Sequence, residues 1–249
     1  MKILGIESSS LVASVAVVAD EVLMAEYTTN FKKTHSQTLL PMLDEVRKML
    51  DLDLETVDAI AVSGGPGSFT GLRIGSATAK GLGLALDKPL IHVPTIDAMA
   101  YNLYGTSALI CPIMDARRSQ VYTGLYHYED AFWVVKESCA MDIHELIAEL
   151  NALGERVIFL GDGTPVYEEI IKCEMTAPYS FAPAQSNRQR AASVAALGAV
   201  CFAEGRTETA MEHAPDYLRK AQAERELEEA KRQGKTKELA AGHSVGEGV

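Results

Sequence analysis

Apolar residues along this chain recur with two periods, and each switch between them marks an element. Residues 2–7, Lys-Ile-Leu-Gly-Ile-Glu, are an apolar run of strand length. Residues 14–19 and 22–27 predict two more strands, with Asp20 and Glu21 as a tight turn between them, and together the three read as an antiparallel meander. The spacing then becomes helical over 36–50, where Leu39, Leu40, Leu43, Val46, Met49 and Leu50 recur, and Pro41 falls in the tolerant first turns. A strand at 59–63, a glycine-rich helix at 70–86 and a strand at 90–93 complete the order βββαβαβ. A helix at 95–104 joins this half to the next. The second half repeats the plan loosely: strands at 109–114, 120–126 and 132–135, a helix at 143–151, a strand at 157–160, a helix at 164–171, a short strand at 175–177 and a long helix at 190–204.

Two meanders, each followed by alternating helices and strands, predict two duplicated α/β lobes with mixed sheets flanked by helices. The expected divisions are an N-terminal lobe over 1–105, a C-terminal lobe over 106–219 whose last helix packs back on the first lobe, and a charged tail over 220–249. Within that tail, 220–238 reads as a solvated helix supported by pairs such as Glu228 and Arg232, and 242–249 as disordered. Crevices between such lobes are where ligands usually bind.

Composition narrows the function. Of 249 residues, 47% are hydrophobic and 23% charged, as in an ordinary globular protein. A net charge of -11 repels phosphate backbones, so tight nucleic-acid binding by this chain alone is not expected. No apolar run is long enough to span a membrane, and the strand pattern at the start leaves no room for a signal peptide. The four scattered cysteines, with no CxxC pair, fit free thiols in a reducing cytoplasm.

The candidate chemistry is sparse. The six histidines form no HxxxH or HExxH, so no metal site is expected and the histidines read as isolated. Seven of the nineteen glycines fall in 64–86. The run Gly64-Gly-Pro-Gly-Ser-Phe-Thr-Gly-Leu-Arg-Ile-Gly75 lacks the lysine of a phosphate loop and fits a turn capped by Ser68 or Thr70. Glu7 and Ser8, Asp115, and Gly161, Asp162 and Gly163 lie in three loops able to face one interlobe crevice. There they either surround a nucleotide or make turn and cap hydrogen bonds. A helix that gives up stability to glycine makes sense where another backbone comes close. Leu72, Gly75, Ala79, Leu82 and Leu86 share a stripe on that helix, and Leu39, Leu43 and Val46 lie on the preceding one. The pattern leaves a docking face and core packing equally open. On the docking reading, Gly75→Arg or Ala79→Arg weakens association and leaves the fold intact.

The glycine run, together with Ile3-Leu-Gly-Ile-Glu-Ser-Ser9, His35-Ser-Gln-Thr-Leu-Leu-Pro41, Asp115-Ala-Arg117 with Val121-Tyr122, and Pro215-Asp-Tyr-Leu-Arg219, resembles the TsaB (YeaZ) family of the actin, sugar-kinase and Hsp70 superfamily, over about residues 1–220. The resemblance implies a ribonuclease-H-like fold in both lobes. It also implies a non-catalytic subunit that binds the catalytic paralogue TsaD and the ATPase TsaE, and self-associates when alone. The complex threonylcarbamoylates N6 of adenosine 37 in tRNAs reading codons that begin with A, with tRNA held mainly by other subunits and ATP and metal carried by partners. TsaD binds metal partly through an HxxxH motif, whereas this chain reads His92-Val-Pro-Thr-Ile-Asp-Ala-Met-Ala100 in that region. Glu7 stands where many relatives carry Asp. The family interface implies helices 36–50 and 70–86. The rival reading is a nucleotide-dependent phosphotransferase or ATPase using the crevice.

Overall fold

A computed structural model describes residues 1–128 and 130–218, so the predicted helix at 220–238 and the tail at 242–249 lie outside the described residues. Residues 1–216 form one compact unit containing two five-stranded sheets. The first sheet comprises β1 (Lys2–Glu7), β2 (Ala13–Ala19), β3 (Val22–Thr29), β4 (Ala59–Gly65) and β5 (Leu90–Pro94), in the order β3-β2-β1-β4-β5. The second comprises β6 (Leu109–Asp115), β7 (Gln120–Tyr128), β8 (Phe132–Asp142), β9 (Val157–Leu160) and β10 (Tyr179–Phe181). Its order, β8-β7-β6-β9-β10, is the same arrangement again. In both sheets the first three strands are antiparallel and the last two join in parallel. The predicted duplication is therefore the topology, one ribonuclease-H-like order of mixed strands used twice.

Helices cover both faces of each sheet. α1 (His35–Met49) and α2 (Phe69–Leu86) pack on one face of the first sheet through Leu39, Leu43, Val46 and Ala79. α4 (Ile143–Leu153) and α5 (Thr164–Glu174) cover the matching face of the second. Burial on both sides explains why β1, β4 and β6 read as continuous apolar runs. The remaining two helices cross over. α3 (Thr95–Ala100) follows β5 but sets Ile96, Met99 and Ala100 against Ile110, Met114 and Tyr126 of the second sheet. α6 (Ala191–Ala203) follows β10 but sets Val194, Ala195 and Cys201 against Ile3, Ala61 and Val93 of the first. Its opening amides find partners there. Ala191 donates to Ser14 Oγ at 3.0 Å and Ala192 to Glu26 Oε1 at 3.1 Å, and Arg190 pairs with the same Glu26 carboxylate.

Three elements differ from the sequence reading. The expected strand at 175–177 is not one, because Asn151 Oδ1 accepts the amides of Thr176 and Ala177 at 2.7 and 3.0 Å, and pairing starts at Tyr179 beyond Pro178. β8 runs on to Asp142, since β7 pairs with it on both sides of the polar stretch that hid it, up to Lys136 and again from Cys139, with Glu137 and Ser138 in a break of register between. The joining helix stops at Ala100 and tightens into a single 3-10 turn at Tyr101–Leu103. The four cysteines are free, and burial pushes the Cys111 thiol up to about 12.

Candidate functional site

β1 and β6 are equivalent strands, and each ends in a carboxylate, Glu7 and Asp115. Glu7 is buried, and its Oε1 accepts both the backbone amide and the hydroxyl of Ser9 at 2.6 Å. Burial pushes its carboxyl up to about 7, against the pull of those hydrogen bonds and with a small push from the charge of Asp162. Asp162 is also raised, mainly by burial, although it accepts Gln189 Nε2 at 3.0 Å. Asp115 accepts the amide of Arg117 and the hydroxyl of Tyr167, both at 2.8 Å, and so closes a turn in which Arg117, Arg118 and Ser119 all take positive φ. Gly161 and Gly163 press on the carbonyl of Ile113, where a Cβ at Gly161 would lie 2.1 Å from the oxygen. The structure thus gathers Glu7, Asp115 and Asp162 into one acidic neighbourhood, with the Arg188 guanidinium bonded to the carbonyl of Gly161 at 3.0 Å beside them.

A phosphate cradle needs backbone amides and hydroxyls with free donors. In the loop after β1, Ser8 and Ser9 are both fully buried and already committed. Ser8 Oγ donates to the carbonyl of Gly71 at 2.9 Å, the Ser8 amide faces Ser63 Oγ at 3.4 Å, and both Ser9 donors go to Glu7. The Ser9 carbonyl accepts the amide of Ser68 at 2.6 Å. Ser68 then caps α2, its hydroxyl accepting from Gly71 at 3.3 Å.

This contact accounts for the glycine motif. A Cβ on Gly67 would lie 2.4 Å from the Ser9 carbonyl oxygen, on Gly71 2.1 Å from that of Ser8, and on Gly75 2.2 Å from Ser8 Oγ. The backbone that approaches α2 is the chain's own 8–9 loop. Leu39, Leu43, Val46, Leu72, Gly75 and Ala79 are all buried, and Leu82 and Leu86 half-buried. The stripe read from the sequence is therefore the side of α1 and α2 that faces their own lobe: the six buried residues offer no docking surface, and Leu82 and Leu86 are only partly accessible. Arginine at Gly75 or Ala79 would disrupt the fold. The outward side is a different set: Thr70, Arg73, Ala77, Gly81, Leu84 and Ala85 on α2, and on α1 Leu40, Pro41 and Met49 among the polar Ser36, Gln37, Glu45, Arg47 and Lys48. Apart from Arg73, whose guanidinium lies 3.9 Å from the Phe69 ring centre, the α2 set carries no charge.

Comparison with known proteins agrees with this architecture. Residues 23–227 match the family model described as TsaD: tRNA N6-adenosine threonylcarbamoyltransferase. The tRNA threonylcarbamoyladenosine biosynthesis protein TsaB of Bacillus subtilis is 35% identical over 230 residues, 90% of this chain and 96% of that protein. The protein of the same name from Escherichia coli is 31% identical over 225 residues, 88% of this chain and 95% of its own length. The chain belongs to the TsaB family. Among solved structures, YeaZ from Pseudomonas aeruginosa superposes with a TM-score of 0.74 at 25% identity, covering 87% of this chain and 99% of that one.

This TsaB-family chain also brings together residues that sequence reasoning treated as separate. His92 on β5 and His213 near the end of the described chain have ring centres 5.9 Å apart, and Glu208 joins them. The histidines lie 121 positions apart in the chain, so no local spacing signals them. The preceding Gly64 is the one trace, because a Cβ there would strike the His92 ring at 2.1 Å. Among the described residues no helix is long and apolar enough to cross a membrane.

Proposed function

We propose that this chain is the non-catalytic subunit of a machinery that threonylcarbamoylates N6 of adenosine 37 in tRNAs reading codons that begin with A. It docks on a TsaD-like catalytic paralogue, works beside a TsaE-like ATPase, self-associates when alone, and meets tRNA only through its partners. The observation that carries this reading is the filled loop at Ser8 and Ser9. Donors that would hold a nucleotide's phosphates are spent within the chain, and Glu7, with its carboxyl pushed up to about 7, is a poor anion at neutral pH for a magnesium ion. The names of the Bacillus subtilis and Escherichia coli relatives support the pathway. The net charge of -11 supports an indirect relation to tRNA.

The docking face in this reading is the outer side of α2, uncharged apart from Arg73, with Ala77 and Gly81 at its middle, together with the exposed Leu40 of α1. Small residues let a partner helix approach closely, and Leu84 supplies apolar area. The test is reconstitution of the modification with each protein omitted in turn, together with size-exclusion chromatography of this chain with its catalytic paralogue. Modification that needs this chain but not its crevice carboxylates supports the proposal. Magnesium-dependent ATP turnover by the purified chain alone would overturn it in favour of a phosphotransferase or ATPase.

A further inference from the structure

We propose that His92, Glu208 and His213 form a binding site for a divalent transition-metal ion of the zinc class, which clasps segment 207–216 to the first lobe. One nitrogen of each imidazole and one carboxylate oxygen lie within 4.8 Å of one another. The two imidazoles are donors that suit zinc, and Glu208, hydrogen-bonded to one of them, stands behind it as an outer carboxylate.

The hydrogen bonds around the rings prepare them for this role. Nδ1 of His213 meets Oε1 of Glu208, and a carboxylate only accepts, so Nδ1 carries the proton. With Nδ1 engaged by Glu208, Nε2 is the nitrogen left to meet an ion. The His213 side chain is 0% exposed, and Nε2 is a buried atom with no hydrogen-bond partner. A buried polar atom left bare costs free energy that a ligand would recover. His92 repeats the arrangement, its Nε2 facing Asp216 Oδ2 at 3.4 Å. A carboxylate behind a histidine fixes the tautomer and raises its basicity, as in many zinc centres. Two neutral imidazoles with Glu208 and Asp216 balance a dication in charge.

The surrounding backbone holds these groups in place. Leu90 and Glu208 exchange backbone hydrogen bonds at 2.8 and 2.9 Å, so segment 207–216 adds a bridge beside β5. The Asp216 amide donates to the carbonyl of Gly64 at 2.7 Å, and Lys80 of α2 donates to the carbonyl of His213 at 2.9 Å. An ion at this point ties β5 and the closing segment together, against the side of α2 that carries Lys80.

The experiment uses the full chain, stripped with a chelator and titrated with zinc alone against a chromophoric competitor. Cobalt absorption reports the ligand field. One equivalent of zinc is expected, with a rise in unfolding temperature as binding stabilises the folded state. His92→Gln and His213→Gln should each weaken zinc at least about tenfold, and Asp216→Asn by about ten- to a hundredfold, the range typical of outer partners. His92 is partly exposed at 24%, so His92→Gln should fold, which circular dichroism checks. Absence of stoichiometric zinc in the wild type would overturn the proposal. So would equal affinity in the wild type and His92→Gln, which would place the ion elsewhere, for example at the exposed pair His144 and Glu174.

Discussion

Replacing Glu7 by Gln should make the protein more stable in base while leaving it nearly unchanged in acid. Gln keeps an acceptor oxygen for the amide and hydroxyl of Ser9 but carries no charge to bury. The folded-state carboxyl sits at about 7 against an ordinary 4.5, so between those values the native state holds a proton that the unfolded chain releases. Stability is therefore fully present below about pH 4.5 and is lost as pH rises through 7. With about 1.4 kcal/mol per pK unit, the wild type should lose about 2.5 kcal/mol from this group between about pH 5 and about pH 8. That is a large part of the roughly 5–15 kcal/mol that holds a typical domain together. Urea unfolding of both proteins at the two pH values measures it. Asp162 also has a raised carboxyl and contributes to both curves, so the relevant quantity is the difference between wild type and Glu7→Gln. A difference that does not widen toward base, or that changes sign, would refute the argument that Glu7 is held buried at a desolvation cost.

Other perturbations test other contacts. Gly71→Ala should cost about 1–3 kcal/mol in unfolding free energy, because its Cβ meets the Ser8 carbonyl at 2.1 Å and neither backbone can yield cheaply. Gly81→Arg, where a Cβ meets nothing within 4 Å, should leave the melting curve alone and weaken association with the catalytic paralogue by about 2 kcal/mol or more in a binding titration. Tyr126→Phe removes the 2.7 Å donor to Asp97, a carboxylate already pushed up by burial. Calorimetry should show a loss of about 1–3 kcal/mol that deepens as pH rises, since the unaided carboxyl titrates higher still. Glu26→Gln should cost about 1–3 kcal/mol in a denaturant titration by loosening Arg190 and the α6 amide of Ala192 together.

The lobes were legible in the sequence because sheets covered on both faces give long apolar runs, such as Ile3 to Ile6 and Ala59 to Val62, that no loop imitates. Edge elements were less legible. β8 alternates with Lys136 and Glu137 and depends on its partner rather than on its own composition, and 175–177 has apolar residues but is tied down by Asn151. The motif at 64–75 was legible as a place of close approach, but not what approaches. Glycine says only that space is lacking, and a contact with the chain's own Ser8 leaves the same signature as one with a partner. For the same reason the helical stripe through Leu39, Leu72 and Ala79 could not reveal which side of the helix faces water. The histidine pair was invisible, since long-range contacts such as the pairing of Leu90 with Glu208 bring the distant stretches side by side.

The crossing of α6 sets an order of events in the making of this protein. One face of the first sheet, including Ile3, Ala61 and Val93, is roofed by residues 194–201, nearly two hundred positions downstream of β1. While the ribosome is still delivering the second lobe, that face has little cover from its own chain beyond Ala98 of α3. The amino-terminal half should thus wait as a loosely packed, chaperone-prone intermediate. Nascent chains halted before residue 191 should be digested quickly by protease, and those released beyond residue 203 should become resistant in one step.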